Sequence, residues 1–375
     1  MFAAALPFSW IGTWGASPSG SDAQTTFTDA TLREIVHVSI GGRLVRIRFT
    51  NRFGQTPLTI AAASVAVARR DSAEAVPGTL RDLRFSGAAS VTLPPQADVV
   101  SDAASIAVAP ESNLLITLYV PGPAASPTAH LLAMQTNYEA TGDRVDQTNA
   151  AGFATTDRHW YYVDGVDVLT RGRGTIVALG DSITDGAGST IDGNDRWPDI
   201  LARRLLANGR RFGVVDAGIS GNRILLSSPV FGPDALARFD ADVLSQSHLT
   251  DLIVLLGIND IQQSPHEYDA AHIEAGLDQI VLRAHAHGIR VVGCTITPYE
   301  GWFTYDARGE ATRLAVNEFI RHSGVFDAVA DFDRVVRDPA DRQRILPRYD
   351  SGDHLHPNAR AYRAMVTAID LRRLR

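Results

Sequence analysis

Near residue 171 the sequence changes rhythm, and that change limits the fold more than any other feature. Beyond it, short apolar runs alternate with helical stretches. Strands are expected at Ile176–Leu179, Gly213–Ala217, Leu252–Leu256, Val291–Thr297 and Val329–Phe332. Helices are expected at Trp197–Leu206, Pro233–Leu244, Ala270–His287 and Glu310–His322, with a last one from Asn358. Such alternation predicts an α/β domain with a parallel sheet covered by helices on both faces. Before the change, β-prone runs such as Glu34–Ile40, Leu44–Phe49 and Leu114–Val120 are separated by turn residues with no helix between them. Many short strands in that pattern predict an all-β sandwich or jelly roll. The expected division is therefore residues 1–170 as a β accessory domain and 171–375 as the α/β domain, and a chain of 375 residues is long enough for both.

Charge and cysteine content exclude several classes of function. Lys and Arg total 35 against 42 Asp and Glu, a net charge of -7 that disfavours a general nucleic-acid binder. Cys294 is the single cysteine, so the chain has no intrachain disulfide and no cysteine-based zinc site. No apolar run reaches the ~18 residues of a membrane span. The apolar start Met1–Pro7 leans towards export although it lacks a basic region, and a lone cysteine is equally compatible with the cytosol. Oligomeric state is not legible. On the β domain, Arg46 and Arg48 alternate with apolar residues and are expected on a solvated face.

The run Ile176–Leu179 stops at Gly180-Asp181-Ser182, which reads as a buried strand feeding a loop. Open α/β sheets bind their ligands at the carboxyl ends of such strands. A serine hydroxyl there is a weak nucleophile without a base. The stretch Asp350-Ser-Gly-Asp-His-Leu-His-Pro-Asn358, between the last strand and the last helix, offers one. Asp353 and His356 are close enough for the carboxylate to orient the imidazole, whose other nitrogen then faces Ser182. Oxyanion donors are available from the N–H of Ser182, the N–H of Gly221 and the side-chain amide of Asn259.

Gly-Asp-Ser at 180–182, Gly221, Gly-Ile-Asn-Asp at 257–260 and Asp-His-Leu-His at 353–356 resemble, in order, the four blocks of the SGNH, or GDSL-type, hydrolase family. Ile183 stands where many members have leucine. The resemblance covers roughly residues 174 to 372. It implies a three-layer α/β/α, flavodoxin-like fold with a central parallel sheet and hydrolysis of esters without metal or cofactor. Ser182 would be the nucleophile, His356 the base, Asp353 its partner, and Gly221 and Asn259 oxyanion donors. The implied substrate is a short-chain carboxylic ester, either a small-molecule ester or an acetylated carbohydrate, the latter because some members with an amino-terminal jelly roll deacetylate plant polysaccharides.

Other readings compete at particular residues. Tyr299, Trp302, Phe303 and Tyr305 crowd one loop, where they either line a pocket or pack the loop down. Asp353, His354 and His356 resemble a metal-ligand cluster, but no third-ligand motif accompanies them, so metal chemistry is not expected. Asp181 and Asp260 read as braces of their loops. A rival of another class is a glycan-binding protein with a degenerate hydrolase domain. The same site is also suited to acyl transfer to an alcohol.

Overall fold

The computed structural model describes residues 6–70 and 72–375. Most of the apolar start lies outside the described residues. The chain divides into two compact units, one of residues up to 174 with 191–193 and 210–215, the other of 175–190, 194–209 and 216–375.

The first unit is a sandwich of antiparallel sheets. One sheet orders Phe8–Gly15, Val163–Arg171, Val45–Thr50 and Asp98–Val100 as neighbours. The larger sheet orders Thr155–Asp157, Asn137–Thr141, Ala30–Val38, Ser112–Val120, Ala62–Val67 and Arg81–Asp82. Alternate residues of each strand face inward, so Ile47 and Phe49 from one sheet meet Val36, Val38, Ile116 and Leu118 from the other in one core. Trp14 and Trp160 pack edge to face in it, with ring centroids 5.0 Å apart. The expectation for Arg46 and Arg48 needs correcting. Arg48 Nε donates to Asp164 at 2.7 Å and Arg46 Nε to Asp167 at 2.8 Å, and neither side chain is freely solvated. Both carboxylates lie on the neighbouring strand Val163–Arg171, so cross-strand pairing replaces solvent on this face.

The second unit holds most of a five-stranded sheet in the order Phe212–Gly218, Gly174–Gly180, Leu249–Leu255, Arg290–Cys294 and Ala328–Ala330. The pairings from Gly174–Gly180 through Ala328–Ala330 are parallel. Numbered along the chain this is the order 2-1-3-4-5, the flavodoxin-like arrangement. The helices pack in two groups. Trp197–Ala207, Phe332–Val336 and Ala359–Met365 contact one another, as do Ala235–Phe239, Ile258–Gln262, Ala270–Ala286 and Ala307–His322. Their starts are set by side chains that accept orphan backbone N–H groups, among them Asp234, Asp269, Asp306, Asp331 and Asn358. Asp331 also explains an early strand end. The expected strand Val329–Phe332 stops at Ala330 because Asp331 caps the helix Phe332–Val336. The stretch Pro233–Leu244 is not one uniform helix, since Ala235–Phe239 widens into a π-helical segment at Asp240–Leu244.

One buried charge cluster anchors the helix Ala307–His322. Arg313 is almost fully buried and donates to both carboxylate oxygens of Glu310 at 2.8 and 2.7 Å. It also reaches Asp333 at 2.9 Å and the carbonyl of Ile296 at 2.9 Å. Removing the cation strands buried Glu310, while Asp333 keeps its pairs with Arg321 at 2.6 Å and Arg337 at 3.1 Å. Arg313→Met is therefore expected to lower unfolding stability by about 3–5 kcal/mol in urea denaturation, whereas Leu314→Ala on the exposed face should change it by less than about 0.5 kcal/mol.

Candidate active site

Ser182 occupies the first turn after the strand Gly174–Gly180. The Asp181 carboxylate accepts the backbone N–H of Ile183 at 3.0 Å and caps the one-turn helix Ser182–Asp185. Bracing was the role expected of Asp181, and the cap is how it does so.

The loop 350–358 brings His356 to Ser182. Asp353 Oδ1 accepts the backbone N–H groups of Leu355 and His356, both at 2.9 Å. Its Oδ2 lies 2.6 Å from His356 Nδ1. With the proton on Nδ1 shared with Asp353, Nε2 is left as an acceptor, and Ser182 Oγ lies 2.9 Å from it. Burial alone would raise the Asp353 carboxyl, but the hydrogen bonds from His356 and Leu355 outweigh it and hold the group well below the usual carboxylate range. His354, by contrast, turns away to Asp350, with Nδ1 2.6 Å from its carboxylate. The two histidines thus serve different carboxylates. Among the described residues no group of three or more His, Cys, Asp or Glu is arranged to hold a metal ion.

Gly221 and Asn259 approach the same place from the two neighbouring strands. Gly221 has φ of +78°, and a Cβ there would run into the Phe231 ring, so only glycine fits. The preceding Ser220 is fixed by Asp185, which accepts its N–H at 2.9 Å and its hydroxyl at 2.7 Å. Asn259 Nδ2 donates one hydrogen to the carbonyl of Asn222 at 3.1 Å, which leaves a second for a ligand. Its Oδ1 accepts from Gln262 at 2.8 Å and Gln263 at 3.0 Å, which fixes which end of the amide is the donor. Asp260 accepts the N–H groups of Ile224 and Leu225, the bracing role expected of it.

Beneath these residues lies Arg238, almost fully buried. It donates to the carbonyl of Gly180 at 2.9 Å, the carbonyl of Ala217 at 2.8 Å, Asn222 Oδ1 at 3.0 Å and Asp242 at 2.9 Å. One guanidinium therefore ties together the ends of two strands and the residue that holds Asn259.

Ser182, Gly221, Asn259 and His356 line a cavity of about 220 Å³ together with Phe231, Gln262, Gln263 and Trp302. Of the four candidate pocket aromatics, only Trp302 lines it. Its ring stands nearly perpendicular to that of His356, 5.9 Å between centroids, and its Nε1 donates to Gln262 at 2.9 Å. Tyr299 is fully buried against Tyr305, the Tyr305 hydroxyl bonds Gln343, and Phe303 is 81% exposed. Packing the loop down is thus the role of Tyr299 and Tyr305. Gln262 and Gln263 were not singled out from the sequence, although they follow Asn259 by three and four positions, the spacing that brings helical side chains together. Phe231 carries no such signal.

Several acids in this domain are buried, among them Asp181, Asp185 and Asp260. Burial pushes Asp181 up to about 7, with the Ile183 N–H and His356 opposing and Asp260 and Asp185 adding to the rise. Burial likewise pushes Asp216 up to about 8, partly offset by Arg196. Asp216 Oδ2 has no hydrogen-bond partner among the described residues, while Oδ1 accepts the Gly218 N–H at 2.8 Å. A raised carboxyl stabilises the fold only while protonated. Its contribution is complete below the unfolded value and is lost as pH rises through the folded one. Asp216→Asn keeps the acceptor and removes the titration, so the variant should gain more in Tm at about pH 8 than at about pH 5. Equal gains at both would disprove the ionisation cost.

Residues 178–364 match the family model described as GDSL-like Lipase/Acylhydrolase. No curated protein matches the sequence. Among solved structures, a GDSL-like lipase from Bacteroides thetaiotaomicron is 19% identical, with a TM-score of 0.38, over 52% of this chain and 84% of that one. An acetyl xylan esterase is 21% identical, with a TM-score of 0.40, over 52% of this chain and 96% of that one. An alpha/beta hydrolase enzyme from the metagenome of Lake Arreo, Spain, is 22% identical, with a TM-score of 0.40, over 52% of this chain and 93% of that one. With its four sequence blocks gathered around one cavity, the segment 178–364 is a domain of the GDSL-like lipase/acylhydrolase family.

Proposed function

We propose that this protein is a serine esterase that hydrolyses short-chain carboxylic esters through an acyl-enzyme. The observation that carries the reading is the unbroken hydrogen-bond chain from Ser182 Oγ through His356 to Asp353, opening on a cavity that Gly221 and Asn259 also line. Ser182 Oγ attacks the ester carbonyl carbon as its proton passes to His356 Nε2. Asp353 stabilises the imidazolium that results. The tetrahedral oxyanion is met by the N–H groups of Ser182 and Gly221 and by Asn259 Nδ2. The bond to the leaving oxygen then breaks, and His356 gives that oxygen its proton. Water, deprotonated by His356, attacks the acyl-enzyme, and Ser182 leaves with the proton and releases the acid.

The size of the cavity supports a small acyl group. At about 220 Å³ it falls below the ~300–1,000 Å³ of pockets that enclose drug-sized ligands. An acetyl group on a sugar meets the same size limit, since the sugar would remain on the open side. The intact hydrogen-bond chain favours catalysis over a purely glycan-binding role.

With a p-nitrophenyl ester as substrate, Ser182→Ala is expected to reduce hydrolysis to background, and a variant as fast as the parent would end the acyl-enzyme reading. Asn259→Ala should lower kcat by ~10²–10³ with KM close to that of the parent, because its free hydrogen is matched to charge that appears only in the transition state. Unchanged kcat would remove Asn259 from the oxyanion hole.

A further inference from the structure

The esterase reading leaves open which residue sets the length of the acyl chain. We propose that Phe231 is the end wall of the acyl pocket and confines the site to short acyl groups, acetyl to butyryl. The proposal rests on that reading and deepens it.

Geometry at the reacting carbon assigns the walls. The tetrahedral carbon carries four substituents: Ser182 Oγ, the oxyanion, the leaving oxygen and the acyl carbon. The oxyanion points to Gly221 and Asn259. The leaving oxygen must lie towards His356, which protonates it, so the alcohol follows the wall made by Trp302 and Leu355. Ala187 belongs to that side too, since a Cβ on the next residue, Gly188, would lie 3.1 Å from Ser351 and against the carbonyl of Pro357. The acyl carbon takes the remaining direction. There the lining is Ser220, Gln263 and Phe231, of which only Phe231 is apolar.

The backbone that carries Phe231 is fixed, and its ring packs over Gly221. Its carbonyl accepts from Asn222 Nδ2 at 3.1 Å, and the same amide donates to the carbonyl of Pro233 at 2.8 Å. Ser228 Oγ accepts the N–H groups of Val230 at 3.1 Å and Phe231 at 3.3 Å, and a backbone bridge joins Ser228 to Gly232. Asn222 also holds Asn259 through its carbonyl. One residue therefore fixes both an oxyanion donor and the acyl wall. Phe231 is itself 37% exposed, so truncating its ring would open that end of the cavity.

The test is kcat/KM for p-nitrophenyl acetate, butyrate and octanoate, in which only the acyl part varies, measured for the parent, Phe231→Ala, Phe231→Leu, Phe231→Trp and, as a control, the exposed Phe303→Ala. The parent should prefer acetate and butyrate. Phe231→Ala should raise the octanoate-to-acetate ratio by about tenfold or more, with Phe231→Leu in between, because a few methylenes in an apolar pocket are worth that much. Phe231→Trp should move the profile the other way and depress butyrate against acetate. A loosened fold would not move it in both directions. Phe303→Ala should keep the parent profile. If the parent is active and the Phe231 variants keep its chain-length profile, the proposal is wrong although the esterase reading stands. A parent inactive on all three esters overturns the esterase reading and the proposal with it.

Discussion

The site depends on a buried guanidinium. Arg238 donates to the carbonyls of Gly180 and Ala217, to Asn222 and to Asp242. A strand-end carbonyl that has lost its ladder partner costs about 1–3 kcal/mol when buried unpaired; the Gly180 carbonyl also accepts the Ile219 N–H at 3.1 Å, so there the guanidinium fills a second acceptor position. A cation with five donors in a rigid fork satisfies several at once and fixes their separation. Its own charge is balanced by Asp242, four residues along the same helical run. The distance from Ser182 to Gly221 is thereby set from below, by a residue that does not line the cavity.

The same logic explains what the sequence made legible. Strand ends carrying Gly180-Asp-Ser182, Gly257-Ile-Asn-Asp260 and the Asp353–His356 loop stand out because their chemistry is unusual where apolar runs stop. The strand–helix rhythm needs only apolar periodicity, so the sheet and its flanking helices could be read in advance. Arg238 could not. Within Pro233–Leu244 it looks like any arginine on a helix, and only the assembled sheet shows that its head is buried. Arg48 on the β domain is a parallel case, since the alternation of its strand said which face it lies on but not that Asp164 would be waiting there. The aromatic loop could not be resolved from composition either. Trp302 reaches the cavity while Tyr299, three residues earlier, is sealed beneath Tyr305, a difference set by loop geometry rather than residue type.

The domain also holds its acids in opposite states. Asp353 is held charged by its hydrogen bonds to the His356 loop, whereas Asp181 and Asp216 are driven towards the neutral form by burial. The two demands do not compete in mild acid, where the lowered carboxyl has already lost its proton and the raised ones still keep theirs. Raising the pH towards the values of the buried pair strains the packing around Ser182 without changing the charge beside His356.

Ser182 and His356 form a 2.9 Å contact across 174 residues of sequence. Closing a loop of that length is among the slowest and latest events in building a parallel sheet. A chain emerging from the ribosome thus displays Ser182 long before His356 exists, and the hydrogen bond between them forms only once the last loop docks. That contact is in this sense a report of completed folding.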